Sequence, residues 1–300
     1  MRILVSGGSG FLGRALSARL QEDGADVTWL SRSPSRPAPE GIRVIGYDAL
    51  APGDRFDAVV NLAGAGIAER RWSDRRKEVL CESRLGPTRT LLQWMRRCER
   101  RPRVLLSGSA VGWYGARDDT PLTEDSPAHE DFSHAMCEAW ESAAMEAVAL
   151  GVPVLLLRTG IALHPGGGML RRLLLPFKLG LGGRLGDGNQ VLSWVAREDW
   201  VEAVRVLLRR HLDGAGDALV GPVNLTSPEP VSNAGFTRAL GRALRRPAVF
   251  AVPAPVLKLA LGEMSTLLLD GQRVLPRRLR ESGFQFRHPG LAPYLESVLR

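Results

Sequence analysis

Three hundred residues with a 44% apolar share suit one large domain, or one large and one small, and exclude a disordered chain. No uncharged apolar run reaches the roughly 18 residues needed to cross a bilayer, and the run at Ile3-Leu4-Val5 is too short for a signal peptide. The formal net charge of +8 is carried almost wholly by arginine, since lysine occurs only at Lys77, Lys178 and Lys258; it is scattered among acids along helical segments and comes with no nucleic-acid recognition motif.

The chain opens with a strand at Ile3–Val5 that stops at Gly7. Helical spacing follows at Leu12, Leu16 and Leu20 and ends at Gly24. Val27-Thr28-Trp29-Leu30 reads as a second strand, which makes the opening βαβ of a doubly wound sheet. A proline-rich loop covers residues 34–41, and strands are expected at 42–47 and 58–62. A long helix is expected over 73–97, broken at Gly86-Pro87. A strand at 103–107 and a helix at 131–150 follow, closed by Gly151. Residues 154–157 are unbrokenly apolar, as in a parallel sheet covered on both faces. Strand and helix alternate throughout the first 160 residues.

Beyond Gly160 the pattern changes to glycine-rich loops at 165–168 and 180–188. Helices are expected at 199–210, 233–245 and 255–261, with a strand at 223–225 returning to the sheet. The fold class is therefore α/β: a doubly wound parallel Rossmann sheet in residues 1–160, and a smaller mixed substrate lobe in 161–300. Cys81, Cys98 and Cys137 are far apart, odd in number and without metal spacing. Free thiols fit a reducing, cytoplasmic compartment.

The strongest chemical signal is Gly7-Gly8-Ser9-Gly10-Phe11-Leu12-Gly13. Glycines in this spacing allow a tight turn, let the backbone approach a pyrophosphate, and let the helix pack on the strand. The loop follows a strand and opens a helix, the context such a motif requires. The free N–H groups and dipole of the helix N-terminus then face the phosphates. Strand two ends Leu30-Ser31-Arg32-Ser33 without the acid that would bond the ribose 2′-OH of NAD. Arg32 can instead fork onto a 2′-phosphate, so NADP is the expected cofactor.

With this loop, Asn61-Leu62-Ala63-Gly64 and Ser107-Gly108-Ser109-Ala110 followed by Tyr114-Gly115 resemble the extended short-chain dehydrogenase/reductases. Residues 132–141, Arg158-Thr159-Gly160, 176–180, Ser193-Trp194-Val195 and 271–276 resemble one atypical subgroup. It is labelled NAD-dependent epimerase/dehydratase-like, sometimes a cell-division inhibitor, and carries a small C-terminal module from about residue 247. The resemblance implies that Leu62, Ala63 and Gly64 lie along the cofactor. It places Asp48 near the adenine, Arg158 near the nicotinamide end, and Ser109 at the catalytic serine position.

Relatives also use a tyrosine with a lysine four residues later, whose charge eases proton transfer while hydride moves. None of Tyr47, Tyr114 and Tyr294 has lysine at that spacing. Aligning Glu141 with the acid after the motif puts Ser133 and Cys137 at the dyad positions. Tyr114, or His134 on the same helix as those positions, could replace the dyad, although a packing aromatic explains Tyr114 at least as well and an exposed helix histidine explains His134 better. Glu138 and Glu141 are expected to make helix-surface interactions, and Trp113, Trp140 and Trp194 to form core or pocket wall. Asp187 and Asn189 sit where a loop could meet substrate. Two functions remain open: an NADP(H)-dependent oxidoreductase or epimerase-like enzyme on a small, nucleotide-linked substrate, and a non-catalytic NADP(H) sensor. No nucleic-acid or membrane partner is expected, and a homodimer is compatible with the sequence.

Overall fold

The computed structural model describes residues 1–214 and 219–300. Seven parallel strands form the main sheet: β1 (Arg2–Ser6), β2 (Asp26–Ser31), β3 (Arg43–Gly46), β4 (Ala58–Asn61), β5 (Val104–Ala110), β6 (Val154–Thr159) and β7 (Gly221–Leu225). Their spatial order is β3-β2-β1-β4-β5-β6-β7. The order reverses between β1 and β4, and ligands of such sheets bind outside the carboxyl ends of the strands at that point. The late strand pairs as expected, with Val223 beside Leu157 and Leu225 beside Thr159.

The strands are apolar on both sides because both faces are covered. Ile3 and Val5 pack with Leu16 and Leu20 of α1 (Phe11–Glu22) and with Val204, Leu207 and Leu208 of α5 (Arg197–Leu212). Leu4, Val59 and Leu105 face the other way. They meet Leu91, Leu92 and Met95 of α2 (Asp74–Arg97), and Ala144 of α3 (Phe132–Met145). Helix α5 thus belongs to the layer under the Rossmann sheet although it lies well beyond residue 160.

The expected break at Gly86-Pro87 is absent: α2 runs unbroken with Pro87 inside it. An interior proline costs about 3 kcal/mol. Burial of Leu80 before it and of Leu91, Leu92, Trp94 and Met95 after it offsets that, at roughly 1.5–3 kcal/mol per large side chain. Helix α3 starts on its cap, where the Asp131 carboxylate accepts from the His134 backbone N–H at 2.7 Å. A 3₁₀ turn at Glu146–Leu150 ends at Gly151, which takes φ 75°.

The second half builds its own cluster from Leu163, Leu170, Phe177, Trp194, Phe236, Leu240, Leu291, Tyr294 and Leu295. These come from α4 (Gly168–Lys178), α6 (Asn233–Leu244), the helix Leu291–Leu299 and short strands. The loop at 180–188 is not wholly irregular, since Gly183–Leu185 pairs with Phe250–Val252. The C-terminal residues also clamp the exit of β5: Arg273–Val274 pairs with Pro121–Leu122, and Arg273 and Arg277 bond Asp119 and Asp125. Among the described residues no helix is long and apolar enough to cross a membrane.

Candidate cofactor and active site

The glycine loop sits on the switch point. Gly7 takes φ 77°, and a Cβ there would stand 2.6 Å from the Leu62 carbonyl carbon, so the turn presses onto the chain leaving β4. A Cβ on Gly13 would fall 2.4 Å from the Gly7 carbonyl oxygen, which is the close approach of α1 to the turn. Gly10 differs. Its φ is −74°, a value any residue adopts, and no side chain caps the helix it begins. A Cβ there would meet only the Gly7 carbonyl oxygen, at 3.1 Å, with open space otherwise. Ser9 and Gly10 are exposed, Phe11 and Leu12 partly so. An uncapped helix start with nothing in front of it fits a dinucleotide pyrophosphate. The Phe11 ring itself packs against Gly167.

Arg32 is exposed at the end of β2, beside Ser31, whose hydroxyl accepts from the Ser33 N–H at 3.1 Å. Asp48 is exposed on the short turn Tyr47–Ala49 after β3. The Tyr47 hydroxyl lies 2.7 Å from Ser6 Oγ, and burial raises its pKa. After β4, Ala63 is buried, Leu62 half-buried and Gly64 exposed. Buried Asn61 holds this turn to α2: its Nδ2 donates to Thr88 Oγ1 at 2.8 Å.

The end of β5 carries a closed network. Ser109 Oγ donates to Glu141 Oε1 at 2.6 Å. Arg158 grips both oxygens of Glu141, with Nε and Nη2 each at 2.9 Å. Its Nη1 donates to the Tyr114 hydroxyl at 3.2 Å, and that hydroxyl donates onward to Asn224 Oδ1 at 2.8 Å. The guanidinium lies 3.5 Å from the centre of the Trp113 ring. Burial opposes its charge, and the bonds to Glu141 restore it, so the Arg158 pKa ends raised.

Three expectations change here. Tyr114 is 0% exposed, its hydroxyl is held between Arg158 and Asn224, and burial raises its pKa, so it sits inside the network and not on an open surface. Arg158 is not open to a ligand but is 3% exposed and spent on Glu141. Glu141 makes no helix-surface contact; it is 6% exposed. An arginine inside an apolar strand needs a buried acid, and Glu141 supplies it. Tyr114→Phe is therefore expected to cost about 1–2 kcal/mol of stability, because it strips a partner from two buried groups, and to leave dinucleotide affinity unchanged. Denaturant unfolding and a cofactor titration check both halves.

His134 is buried as well: its Nδ1–H donates to the Trp113 carbonyl at 2.6 Å. Ser133 is half-buried beside Gly112. The Cys137 thiol is pushed up to about 12 by burial and then by Glu141, so it stays a neutral thiol. Asp187 and Asn189 bond each other in an exposed turn. Trp194 is core, its Nε1 donating to the Glu229 carbonyl at 2.9 Å.

Arg84 belongs to none of the sequence motifs. It lies on α2 in the stripe Leu80, Arg84, Thr88, Leu91, and its guanidinium reaches the turn after β4, where Nη2 donates to the Ala65 carbonyl at 3.2 Å. An arginine at core spacing on a helix was the available signal. Among the described residues no cluster of histidine, cysteine and acids is arranged to hold a metal.

The chain resembles known proteins over its whole length. It is 41% identical to the epimerase family protein Mb2239 of Mycobacterium bovis over 95% of this chain and 93% of that one. It is 35% identical to the epimerase family protein SDR39U1 of Bos taurus over the full length of both. The crystal structure of human SDR39U1 with NADPH superposes with a TM-score of 0.89, at 33% identity, covering 100% of this chain and 99% of that one. Residues 252–298 match a domain of unknown function, DUF1731. Residues 3–221 match the model of the NAD dependent epimerase/dehydratase family, and the chain belongs to that family.

Proposed function

We propose that this chain is an NADP(H)-dependent oxidoreductase or epimerase-like enzyme acting on a small, nucleotide-linked substrate. The observation that carries the cofactor is the uncapped start of α1 at Gly10, open in front, with exposed Arg32 and no acid at the end of β2. Bound there, the dinucleotide would supply or accept hydride. Gly7, Ser9, Gly10, Phe11, Leu12 and Gly13 would hold the phosphates. Ser31, Arg32 and Asp48 would hold the adenosine half, and Leu62, Ala63 and Gly64 would line the path across the switch point. Substrate recognition falls to residues 161–300, and the free cysteines suit the cytoplasm.

The dyad found in relatives has no replacement in Tyr114. Ser109 is buried at the carboxyl end of β5 itself, with its proton committed to Glu141. Ser133 is the half-buried residue at the dyad positions, so it or a water beside it would exchange the proton. This arrangement also favours a second reading, a sensor that binds NADP(H) without turnover. A panel of carbonyl substrates separates the two: steady NADPH oxidation supports the enzyme, and none with any substrate supports the sensor.

Cofactor choice gives a sharper test. A charge-assisted bond to a 2′-phosphate contributes about 1.5–3 kcal/mol, so NADPH should bind at least about tenfold more tightly than NADH. Arg32→Ala is expected to erase most of that preference in paired calorimetric titrations. Equal affinities in the wild type, or an undiminished preference in the variant, would remove Arg32 from the site.

A further inference from the structure

Arg84 is a cation held largely out of water without a counter-ion. Its Nη1 donates to the Leu80 carbonyl at 2.8 Å, and its Nη2 to that of Ala65. Its Cζ stands 5.3 Å from the centre of the Trp140 ring, and 3.2 Å from where a Cβ on Gly64 would lie. The planar group is packed between an α3 indole and the backbone leaving β4. Its Nε is buried with no hydrogen-bond partner, and so is Trp140 Nε1. The groups beside it are Cys137 and Cys81, both kept as neutral thiols by burial, and a second cation, Arg76. No described carboxylate is among them, and nearby Arg158 is already neutralised by Glu141. A positive charge therefore remains uncompensated between the exits of β4 and β5.

The topology says which half of a dinucleotide meets that charge. The glycine loop and Arg32 take the phosphates and adenosine over β1 and β2, and the other half extends across the switch point over β4 and β5. We propose that Arg84 makes this site selective for the redox state of the dinucleotide, favouring NADPH over NADP+. The inference rests on the NADP(H) reading above. The two ligands differ in charge at the nicotinamide ring, which is cationic when oxidised and neutral when reduced. An unpaired cation in a poorly solvated setting opposes the first and tolerates the second.

The test compares affinities for NADPH, NADP+ and 2′,5′-ADP, which lacks the nicotinamide, in the wild type, Arg84→Met and Arg84→Lys. The wild type is expected to prefer NADPH over NADP+ on the order of tenfold. Arg84→Met should bring that ratio close to unity, Arg84→Lys should keep it, and 2′,5′-ADP affinity should be the same in all three. A purely structural role would weaken all ligands alike and leave the ratio unmoved. An unmoved ratio in a folded Arg84→Met protein overturns the proposal, as does a wild-type ratio at or below unity. If the methionine variant fails to fold, Arg84→Gln takes its place, and a wild-type ratio there is equally fatal. Failure of the wild type to bind 2′,5′-ADP at all would sink the NADP(H) reading itself, whereas binding of all three ligands without redox preference sinks only the role of Arg84.

Discussion

Replacing Glu141 by alanine is expected to destabilise the protein by about 3–5 kcal/mol, the cost of leaving a buried partner charge uncompensated. The carboxylate is bound by Ser109 and by two nitrogens of Arg158, and both charged side chains are almost fully buried, Arg158 at 4% and Glu141 at 8% side-chain exposure. Alanine would leave the guanidinium in the sheet with only Tyr114 and the Glu124 carbonyl as polar partners. The double variant Glu141→Ala, Arg158→Met should recover part of the loss, because it removes the stranded charge. Denaturant unfolding with an unchanged slope measures both. A single-variant cost under about 1 kcal/mol would show that the pair is solvated in practice and that the network is not closed.

The second large effect separates binding from folding within one loop. Gly10→Val should abolish dinucleotide binding, by about a hundredfold or more, and leave the fold intact. The backbone at Gly10 is extended, and its Cβ direction meets a single backbone oxygen at 3.1 Å, so the branched side chain can be accommodated. It would project into the space in front of α1 where the pyrophosphate belongs. Each charge-assisted hydrogen bond to phosphate that it displaces costs about 1.5–3 kcal/mol. Gly13→Ala should do the opposite in kind. Its methyl would sit 2.4 Å from the Gly7 carbonyl oxygen and 2.8 Å from the Gly8 Cα, so α1 must move off the turn. Loss of thermal stability should precede any specific loss of affinity. Wild-type affinity in a folded Gly10→Val protein would place the site elsewhere.

The sheet was legible because a parallel sheet covered on both faces writes itself as apolar runs between glycines and helical stripes. Even the late strand at β7 declared itself in Val223-Asn224-Leu225. The continuity of α2 was not legible, since local propensity at Gly86-Pro87 argues for a break that tertiary burial of Leu91, Trp94 and Met95 overrides. The glycine loop could be read because backbone approach demands residue types as well as spacing. The polar network at β5 could not. Ser109 and Tyr114 share one stretch, but Glu141, Arg158 and Asn224 come from three others, and their meeting is a property of the fold. The warning sign was Arg158 at the end of the apolar run 154–157, since a charge in a covered strand requires a partner.

The most direct measurement is a calorimetric titration of the wild-type protein with NADPH, and separately with NADH, at one ionic strength. Saturable one-to-one binding of NADPH, at least about tenfold tighter than that of NADH, is the result expected of an open α1 terminus flanked by Arg32. Absence of NADPH binding, or tighter binding of NADH, would contradict it.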